Sequence, residues 1–226
     1  MVLTRESLRD GWLQRLVAAS PIGVKVLSEE ELRRSRAAIL ASHPPGEDLW
    51  LFGYGSLIWN PAFHFEERRL ARLHGYHRQF CLWTHAGRGT AERPGLMLGL
   101  ERGGSCPGVA FRVAHDAIES ELDLVWRREM VTGAYRPRWV RVRTDRGSVR
   151  AVAFVINRAY ERYAGPPDDL RIVEAVALAE GPLGACRDYL FNTAAHLEEL
   201  GIKDRGLARL VREVQAFRRG LDPETP

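Results

Sequence analysis

The chain has 226 residues, of which 45% are apolar and 27% are charged, and its net charge at pH 7 is +4. This length and composition predict one compact domain with extensions and exclude a disordered chain. The basic residues are spread along the chain without an aromatic-interleaved basic stripe, so nucleic-acid binding is not expected.

Cysteine usage and hydropathy bear on the location of the protein. The three cysteines, Cys81, Cys106 and Cys186, are odd in number and widely spaced, which favours reduced thiols over a disulfide framework. Charges of both signs interrupt residues 1–10, so this segment does not predict a signal peptide. No run approaches the roughly 18 apolar residues of a membrane helix. We therefore expect a cytoplasmic protein that does not insert into a membrane.

In chain order, residues 1–48 form a predicted N-terminal extension with one short helix, which begins after the cap residue Ser28. The main domain is predicted over residues 49–220. Its strands are predicted at residues 49–52, 76–83, 95–100, 108–113, 138–143 and 149–156. Its helices are predicted at residues 116–130, 168–180, 184–200 and 206–219. Strands cluster in the middle and helices towards the end, which predicts an α+β fold rather than a doubly wound sheet.

A glycine loop, Gly53-Tyr54-Gly55-Ser56-Leu57, ends the first predicted strand. Two glycines one residue apart allow positive φ angles and a close approach to a ligand, and successive N–H groups in such a turn can bind an anion. The loop lacks the third glycine of a dinucleotide-binding fingerprint and the Gly-Lys-Ser/Thr of a P-loop. A tight turn with no ligand is the alternative interpretation.

The helix predicted from residue 116 carries an apolar stripe that ends in a carboxylate. Asp116 is predicted to cap this helix, and Glu119 completes a capping box. The stripe consists of Ile118, Leu122 and Val125. Glu129 is its next position and lies within about 40° of all three. The pattern therefore predicts a carboxylate on the face that enters the core.

Burial of a lone carboxylate would shift the pKa of Glu129 upward, and such a group can take and return a proton near neutral pH. Arg127 and Arg128 are predicted to project elsewhere. Two alternatives remain: the helix ends early and exposes Glu129, or a distant arginine forms a buried ion pair with it. Tyr135, after the predicted C-terminal cap Gly133, could direct its hydroxyl towards Glu129.

Metal and serine-nucleophile sites are not predicted. His74 and His77 are three apart on a predicted strand and so face opposite sides of it, and an H-E-x-x-H motif is missing. Ser56 lacks the flanking glycines of a nucleophile elbow, since Tyr54 and Ile58 occupy those positions.

Taken together, these segments resemble one family. Residues 52–61, Phe-Gly-Tyr-Gly-Ser-Leu-Ile-Trp-Asn-Pro, are similar to the opening motif of the ChaC-type, glutathione-specific γ-glutamylcyclotransferases. Four later segments are similar to further motifs of that family: residues 69–80, 106–113, 126–130 together with 133–135, and 163–166. The resemblance covers residues 49–217, in order.

The resemblance implies a γ-glutamylcyclotransferase-like fold, a small and mostly antiparallel β-barrel flanked by helices. It implies that glutathione, as a small-molecule substrate, is converted to 5-oxoproline and cysteinylglycine without a cofactor, by attack of its α-amine on its γ-carbonyl. The resemblance also implies that Glu129 is the general acid/base. The residues expected to bind the substrate are Phe52, Gly53, Tyr54, Gly55, Ser56, Leu57, Tyr135 and Tyr163.

Residues 1–48 and the loop 84–94 depart from the family pattern and leave the substrate preference open. One alternative is a cyclotransferase for other γ-glutamyl compounds, and another is a transferase that passes the γ-glutamyl group to an external amine. The third is a non-catalytic binding or regulatory protein of the same fold, linked to cation transport. The presence of Glu129 argues against this third alternative.

Overall fold

The computed structural model describes residues 3–165 and 168–221; Pro166, the last residue of segment 163–166, lies outside this part. The strands are Leu49–Gly53 (β1), Glu67–Thr84 (β2), Gly95–Val113 (β3), Tyr135–Thr144 (β4), Gly147–Ile156 (β5), Glu180–Gly181 (β6) and Gly184–Ala185 (β7). The helices are Arg5–Arg9 (α1), Trp12–Ala18 (α2), Glu29–Leu40 (α3), Ser56–Trp59 (α4), Ile118–Glu129 (α5), Asp169–Leu178 (α6), Cys186–Glu199 (α7) and Arg205–Leu221 (α8). A 3-10 helix at His115–Ala117 precedes α5.

Five strands close a barrel in the order β1–β3–β2–β4–β5. Paired strands are antiparallel except for β1 and β5, which run parallel. Helix α5 packs on the barrel through Trp126, whose ring centroid lies 5.1 Å from that of Phe154 on β5. The predicted α+β class, with a mostly antiparallel barrel flanked by helices, is confirmed.

Strands β2 and β3 are longer than predicted, with 18 and 19 residues. The predicted strands 95–100 and 108–113 are one continuous strand. Gly75 and Gly103 have φ angles of 82° and 100°, and the β2–β3 register shifts beside Gly75. Glycine accepts positive φ without a Cβ clash, so the paired strands bend and continue. The sequence pattern predicts separate segments because the same glycines also mark strand ends.

The N-cap of helix α5 lies one residue later than predicted, at Ala117 instead of Asp116. The chain leaves β3 through a 3-10 turn in which the N–H of Ala117 donates to the carbonyl of Ala114 at 3.0 Å. Asp116 lies within this turn, and the cap position of α5 is Ala117, which makes no side-chain hydrogen bond there. The predicted Asp116 capping box is therefore wrong. The predicted stripe is confirmed, with exposed fractions of 7%, 0% and 2% for Ile118, Leu122 and Val125.

The N-terminal residues contain three helices where the sequence predicts one. The predicted helix is α3, and its cap at Ser28 is confirmed by a capping box with Glu31. Helices α1 and α2 have five and seven residues. They bury Leu8, Leu13 and Val17 against Leu124 of α5. Helices this short depend on tertiary packing, so local sequence signals do not predict them.

The predicted C-terminal helices are confirmed as α6, α7 and α8. Asp168 caps α6, since its side chain accepts a hydrogen bond from the N–H of Arg171 at 2.9 Å. The three helices contact one another, and α6 and α7 also contact β3. Across residues 3–165 and 168–221, no helix combines the length and apolarity needed to span a bilayer.

An ion pair with a buried carboxylate joins α1 to α5. The Glu121 carboxylate is 5% exposed and accepts hydrogen bonds from Arg5 Nη1 and Nη2 at 2.5 and 2.9 Å. It also accepts the backbone N–H of His64 at 2.8 Å. Burial alone would raise the pKa of Glu121, but the hydrogen bonds from Arg5 and His64 outweigh it and the net shift is downward.

We predict that Arg5→Met lowers the free energy of unfolding by about 3 kcal/mol at pH 7, because Glu121 would remain as a buried charge without its cation. The folded-state pKa of Glu121 lies below its ordinary value of 4.5. The stabilisation by the pair is therefore present above that value and is lost as the pH falls through the folded-state pKa. Urea denaturation at pH 7 and in acid measures both effects.

Arg33→Met, at an exposed pair with Glu30, is the control and should change stability by less than about 1 kcal/mol. A loss independent of pH would contradict this account.

Candidate functional site

A cavity of about 190 Å³ opens beside the C-terminal end of α5, where Glu129 lines its wall. Glu129 is the last residue of α5, and its side chain is 14% exposed. The helix therefore does not end early, and the predicted position of Glu129 on the inward-facing side is confirmed. Burial raises the pKa of this carboxyl group, and the charge of Arg128 lowers it to a lesser extent, so the net shift is upward.

The cation beside Glu129 is Arg128, so the prediction that this side chain projects elsewhere is wrong. Its Nε lies 3.1 Å from Glu129 Oε1, and its side chain is 6% exposed. Its Nη1 donates to the carbonyl of Asn60, just after α4. On a helix surface, side chains three or four positions apart face each other, so the sequence pattern does not indicate a pair of adjacent residues. In the last turn of α5, the Arg128 side chain nevertheless contacts the carboxylate of the adjacent residue, Glu129.

The glycine loop joins β1 to α4 and lies next to Glu129, but without positive φ angles. Gly53 ends β1, and Gly55 has a φ of −140°. The loop therefore does not adopt the positive φ angles that its glycines allow. The structure requires glycine for space: a Cβ on Gly55 would lie 3.0 Å from Tyr189 Oη, and one on Gly53 would lie 3.0 Å from Phe111 Cε2.

We predict that Gly55→Ala lowers kcat/KM by about tenfold, because the added methyl group displaces the loop or Tyr189, and small displacements in a site are costly. The same substitution in a Tyr189→Phe background should have a smaller effect, since the contacting hydroxyl is gone. Steady-state assays of the two single variants and the double variant measure this coupling. An equal loss in both backgrounds would show that the contact with Tyr189 is not the cause.

Two of the tyrosines predicted to bind the substrate lie at the site, and each donates its hydroxyl proton to a backbone carbonyl. Tyr54 donates to the carbonyl of Phe154 at 2.9 Å, and Tyr135 donates to the carbonyl of Leu98 at 2.7 Å. Burial is the main reason that the pKa of each phenol lies well above its ordinary value. Both therefore stay neutral, and each phenol oxygen can still accept a hydrogen bond.

Tyr163 lies elsewhere. Its hydroxyl donates to Glu101 Oε2 at 2.5 Å, and Arg158 holds the same carboxylate from Nη2 at 2.9 Å. Burial and this hydrogen bond raise the pKa of Tyr163 to about 12. Its hydroxyl is therefore bound to the Glu101–Arg158 pair, and Tyr163 does not line the cavity.

A smaller inner compartment of about 20 Å³ adjoins the main cavity and shares Ser56, Glu129 and Tyr189 with it. Its lining consists of Tyr54, Gly55, Ser56, Leu57, Leu98, Glu129, Phe154 and Tyr189. The structure thus brings Tyr54, Gly55, Ser56, Leu57 and Tyr135 to Glu129. Phe52 and Gly53 line neither compartment, and Phe52 is 0% exposed in the barrel core.

Three further residues at the cavity were not predicted. Tyr189 comes from α7, and the guanidinium of Arg88 lies 5.6 Å from the centroid of its ring. Arg88 Nη1 donates to the carbonyl of Ala185 at 2.9 Å. Trp59 donates through Nε1 to Thr193 Oγ1 at 3.1 Å. Trp59 belongs to the opening motif and could have been found there, whereas Tyr189 and Arg88 carry no local signal.

The arrangement suits proton transfer to a small polar ligand. A carboxyl group with a raised pKa lies beside a loop with backbone N–H groups, in a cavity with cations on its wall. Within the described ranges, no group of three or more His, Cys, Asp and Glu side chains could hold a metal ion.

Comparison with known proteins places the chain in a family. The model of the ChaC-like protein family matches residues 49–217. A glutathione-specific gamma-glutamylcyclotransferase of Escherichia coli (strain K12) is 43% identical over 189 residues, or 83% of this chain and 82% of that protein. The Homo sapiens glutathione-specific gamma-glutamylcyclotransferase 1 is 30% identical over 170 residues, or 72% and 77% of the two chains.

The fold is also found among solved structures. A crystal structure of a gamma-glutamyl cyclotransferase specific to glutathione from yeast has a TM-score of 0.69 at 20% identity, and the match covers 75% of this chain and 96% of that one. This likeness confirms the γ-glutamylcyclotransferase-like fold. The resemblance noted in the sequence motifs is confirmed by the family match. By its sequence over residues 49–217 and by its curated relatives, the chain belongs to the ChaC-like protein family.

Proposed function

We propose that this protein is a γ-glutamylcyclotransferase that converts glutathione to 5-oxoproline and cysteinylglycine. The observation that carries the proposal is the Glu129 carboxyl group, which lines the cavity with a raised pKa and lies against the glycine loop. The names of the E. coli and human relatives support glutathione as the substrate.

Glu129 acts as the general base and then as the general acid. The α-amine of the γ-glutamyl group is protonated at neutral pH, so a base must remove a proton before the nitrogen can attack. The Glu129 carboxylate accepts that proton, and the amine nitrogen forms a bond to the γ-carbon. The bond from the γ-carbon to the cysteinyl nitrogen then breaks, and Glu129 returns the proton to this leaving nitrogen. The second proton, which the attacking nitrogen loses to become the lactam N–H, passes to the leaving amine through the same carboxylate, so cysteinylglycine departs with an ammonium group. Proton transfers of this kind contribute about 10²–10⁴-fold to the rate.

The glycine loop and the tyrosines hold the γ-glutamyl group. Backbone N–H groups of the loop, with the hydroxyl of Ser56, stabilise the oxyanion that forms on the γ-carbonyl oxygen or bind the α-carboxylate. Because Tyr54 and Tyr135 donate their protons to carbonyls, their phenol oxygens serve as acceptors for the α-ammonium group. Holding the amine next to the γ-carbonyl supplies much of the rate, because the attack is intramolecular.

We also propose that the protein works in the cytoplasm. Its three cysteines are buried and unpaired with one another. Burial raises the pKa of Cys81 to about 12 and that of Cys186 to about 11, so both thiols are poor nucleophiles at neutral pH. Reduced thiols of this kind are typical of a reducing compartment.

An assay of the purified protein with glutathione tests the proposed function. Mass spectrometry should detect 5-oxoproline and cysteinylglycine in equal amounts. Turnover of γ-glutamylalanine but not of glutathione would favour a cyclotransferase for other γ-glutamyl compounds. Transfer to an added amine without 5-oxoproline would indicate a transferase. If none of these substrates gave a product, the enzymatic proposal would be overturned, and the non-catalytic binding protein would be the remaining alternative.

A further inference from the structure

The cavity beside Glu129 has one wall from outside the family match. Four apolar residues of the N-terminal region line it: Leu3, Leu13, Val17 and Val24. Leu13, Val17 and Val24 are 6%, 7% and 8% exposed. We call these four residues the N-terminal wall. The family model begins only at residue 49, so the matched region alone would leave the cavity open on this side.

The N-terminal wall is held against the elements that carry the site. The Arg5–Glu121 pair attaches α1 to α5, and Gln14 Nε2 donates to the carbonyl of Arg127 at 3.0 Å. Asn60 Nδ2 donates to the carbonyl of Leu3 at 3.0 Å. The carbonyl of Asn60 in turn accepts from Arg128, the partner of Glu129. These contacts fix the wall relative to the reacting carboxyl group.

The N-terminal wall contains only apolar side chains, whereas the rest of the cavity lining is mixed. There, apolar residues such as Leu82, Met97 and Leu183 lie beside charged and polar side chains, including His85, Arg88, Arg128 and Arg162. The γ-glutamyl group has an ammonium and a carboxylate and is matched by the polar inner end at Glu129. An apolar wall cannot hydrogen-bond these groups and matches an apolar or weakly polar side chain instead. In glutathione, the part with this property is the CH₂–SH of the cysteinyl residue.

We propose that the N-terminal wall forms the subsite for the side chain of the residue that follows the γ-glutamyl group. It accepts small apolar or sulfur-bearing side chains and excludes charged ones. This inference rests on the proposed cyclotransferase function and names a specificity determinant for it. It gives residues 3–24 a direct place in the substrate site, beyond their contribution to stability.

Four γ-glutamyl tripeptides that end in glycine and differ only in the central residue test the proposal. The central residues are cysteine, 2-aminobutyrate, leucine and aspartate. We expect similar kcat/KM for cysteine and 2-aminobutyrate, because ethyl and CH₂–SH have similar size and low polarity. Aspartate should be at least about 100-fold poorer, since its charge would lose its hydration against an apolar wall.

Wall variants should change the ratio of kcat/KM between substrates. This ratio does not depend on the fraction of folded enzyme, so a loss of stability cannot mimic the effect. Leu13→Ala combined with Val17→Ala enlarges the subsite and should raise kcat/KM for leucine relative to cysteine by about tenfold. Leu3→Lys, at a partly exposed position, should raise kcat/KM for aspartate relative to cysteine. Leu16→Ala is the matched control, because Leu16 packs in the same cluster but lies outside the cavity lining.

The outcomes separate this proposal from the proposed function. If the native protein forms no 5-oxoproline from any of the four peptides, both fail. If it is active but both wall variants keep the native ratios, or Leu16→Ala shifts them equally, the subsite proposal alone is overturned. Altered ratios in the two wall variants, with native ratios in Leu16→Ala, support it.

Discussion

Replacing Glu129 with glutamine should lower kcat for 5-oxoproline formation by about 10³-fold, within the range that a positioned acid/base group contributes. The amide has nearly the shape of the carboxylate but cannot accept the proton of the α-ammonium group. It also cannot return a proton to the cysteinyl nitrogen. A residual rate should remain, because the substrate's own amine is still held next to its γ-carbonyl.

In the Glu129→Gln variant, glutathione binding should be retained while the chemical step is slowed. Calorimetric titration with glutathione should show a Kd close to that of the native protein, since the γ-glutamyl group also contacts the loop and the tyrosines. Glu119→Gln is the control on the same helix, where the carboxylate is 75% exposed, and it should keep native activity. Native kcat in Glu129→Gln would remove Glu129 from the mechanism and leave the family membership intact.

The Glu129→Gln variant should also be less stable. Arg128 is 6% exposed and would lose the carboxylate beside it. A buried charge left without its partner costs about 3 kcal/mol. A thermal melt therefore has to accompany the assay, with kcat measured well below the Tm of the variant. The loss of kcat is then attributable to chemistry and not to unfolding.

The sequence predicted the position of Glu129 because a helical stripe is a local property. Ile118, Leu122 and Val125 define the buried face of α5 by their spacing alone, and Glu129 falls on the same line. The barrel follows only from the family resemblance, because the positions of the predicted strands do not specify how a sheet closes. The long strands β2 and β3 were missed because Gly75 and Gly103 look like strand ends.

The missing parts of the site depend on long-range packing. Tyr189 lies on α7 and meets Gly55 only after the chain has passed round the barrel. The N-terminal wall joins the cavity through contacts such as Arg5 with Glu121, 116 positions apart. No periodicity or spacing in the sequence carries such information. Arg128 escapes sequence-based prediction for a different reason, because partner spacing on a helix surface does not cover adjacent residues such as Arg128 and Glu129.

Replacing Arg128 with methionine should lower kcat/KM at pH 7 by about 100-fold, the lower end of an acid/base contribution. The charge of Arg128 favours the ionised form of Glu129 and opposes the effect of burial. Its removal raises the pKa of Glu129 further, so less of the free enzyme holds the carboxylate that accepts the proton. The acid limb of the pH profile of kcat/KM should therefore move to higher pH, and activity should recover as the pH is raised.

Two variants show whether charge is the cause. Arg127→Met removes the neighbouring arginine, which is 18% exposed and pairs with Asp123 and Glu29, so its acid limb should match that of the native protein. Arg128→Lys keeps a cation near Glu129 and should place the limb between those of the native protein and Arg128→Met. A general loss of structure would lower kcat/KM at every pH without moving the limb. A shift in Arg128→Met that Arg128→Lys partly reverses would mean that this arginine sets the pH range in which Glu129 can act as a base. An unmoved limb would mean that Arg128 serves only to hold the carbonyl of Asn60 and the end of α4.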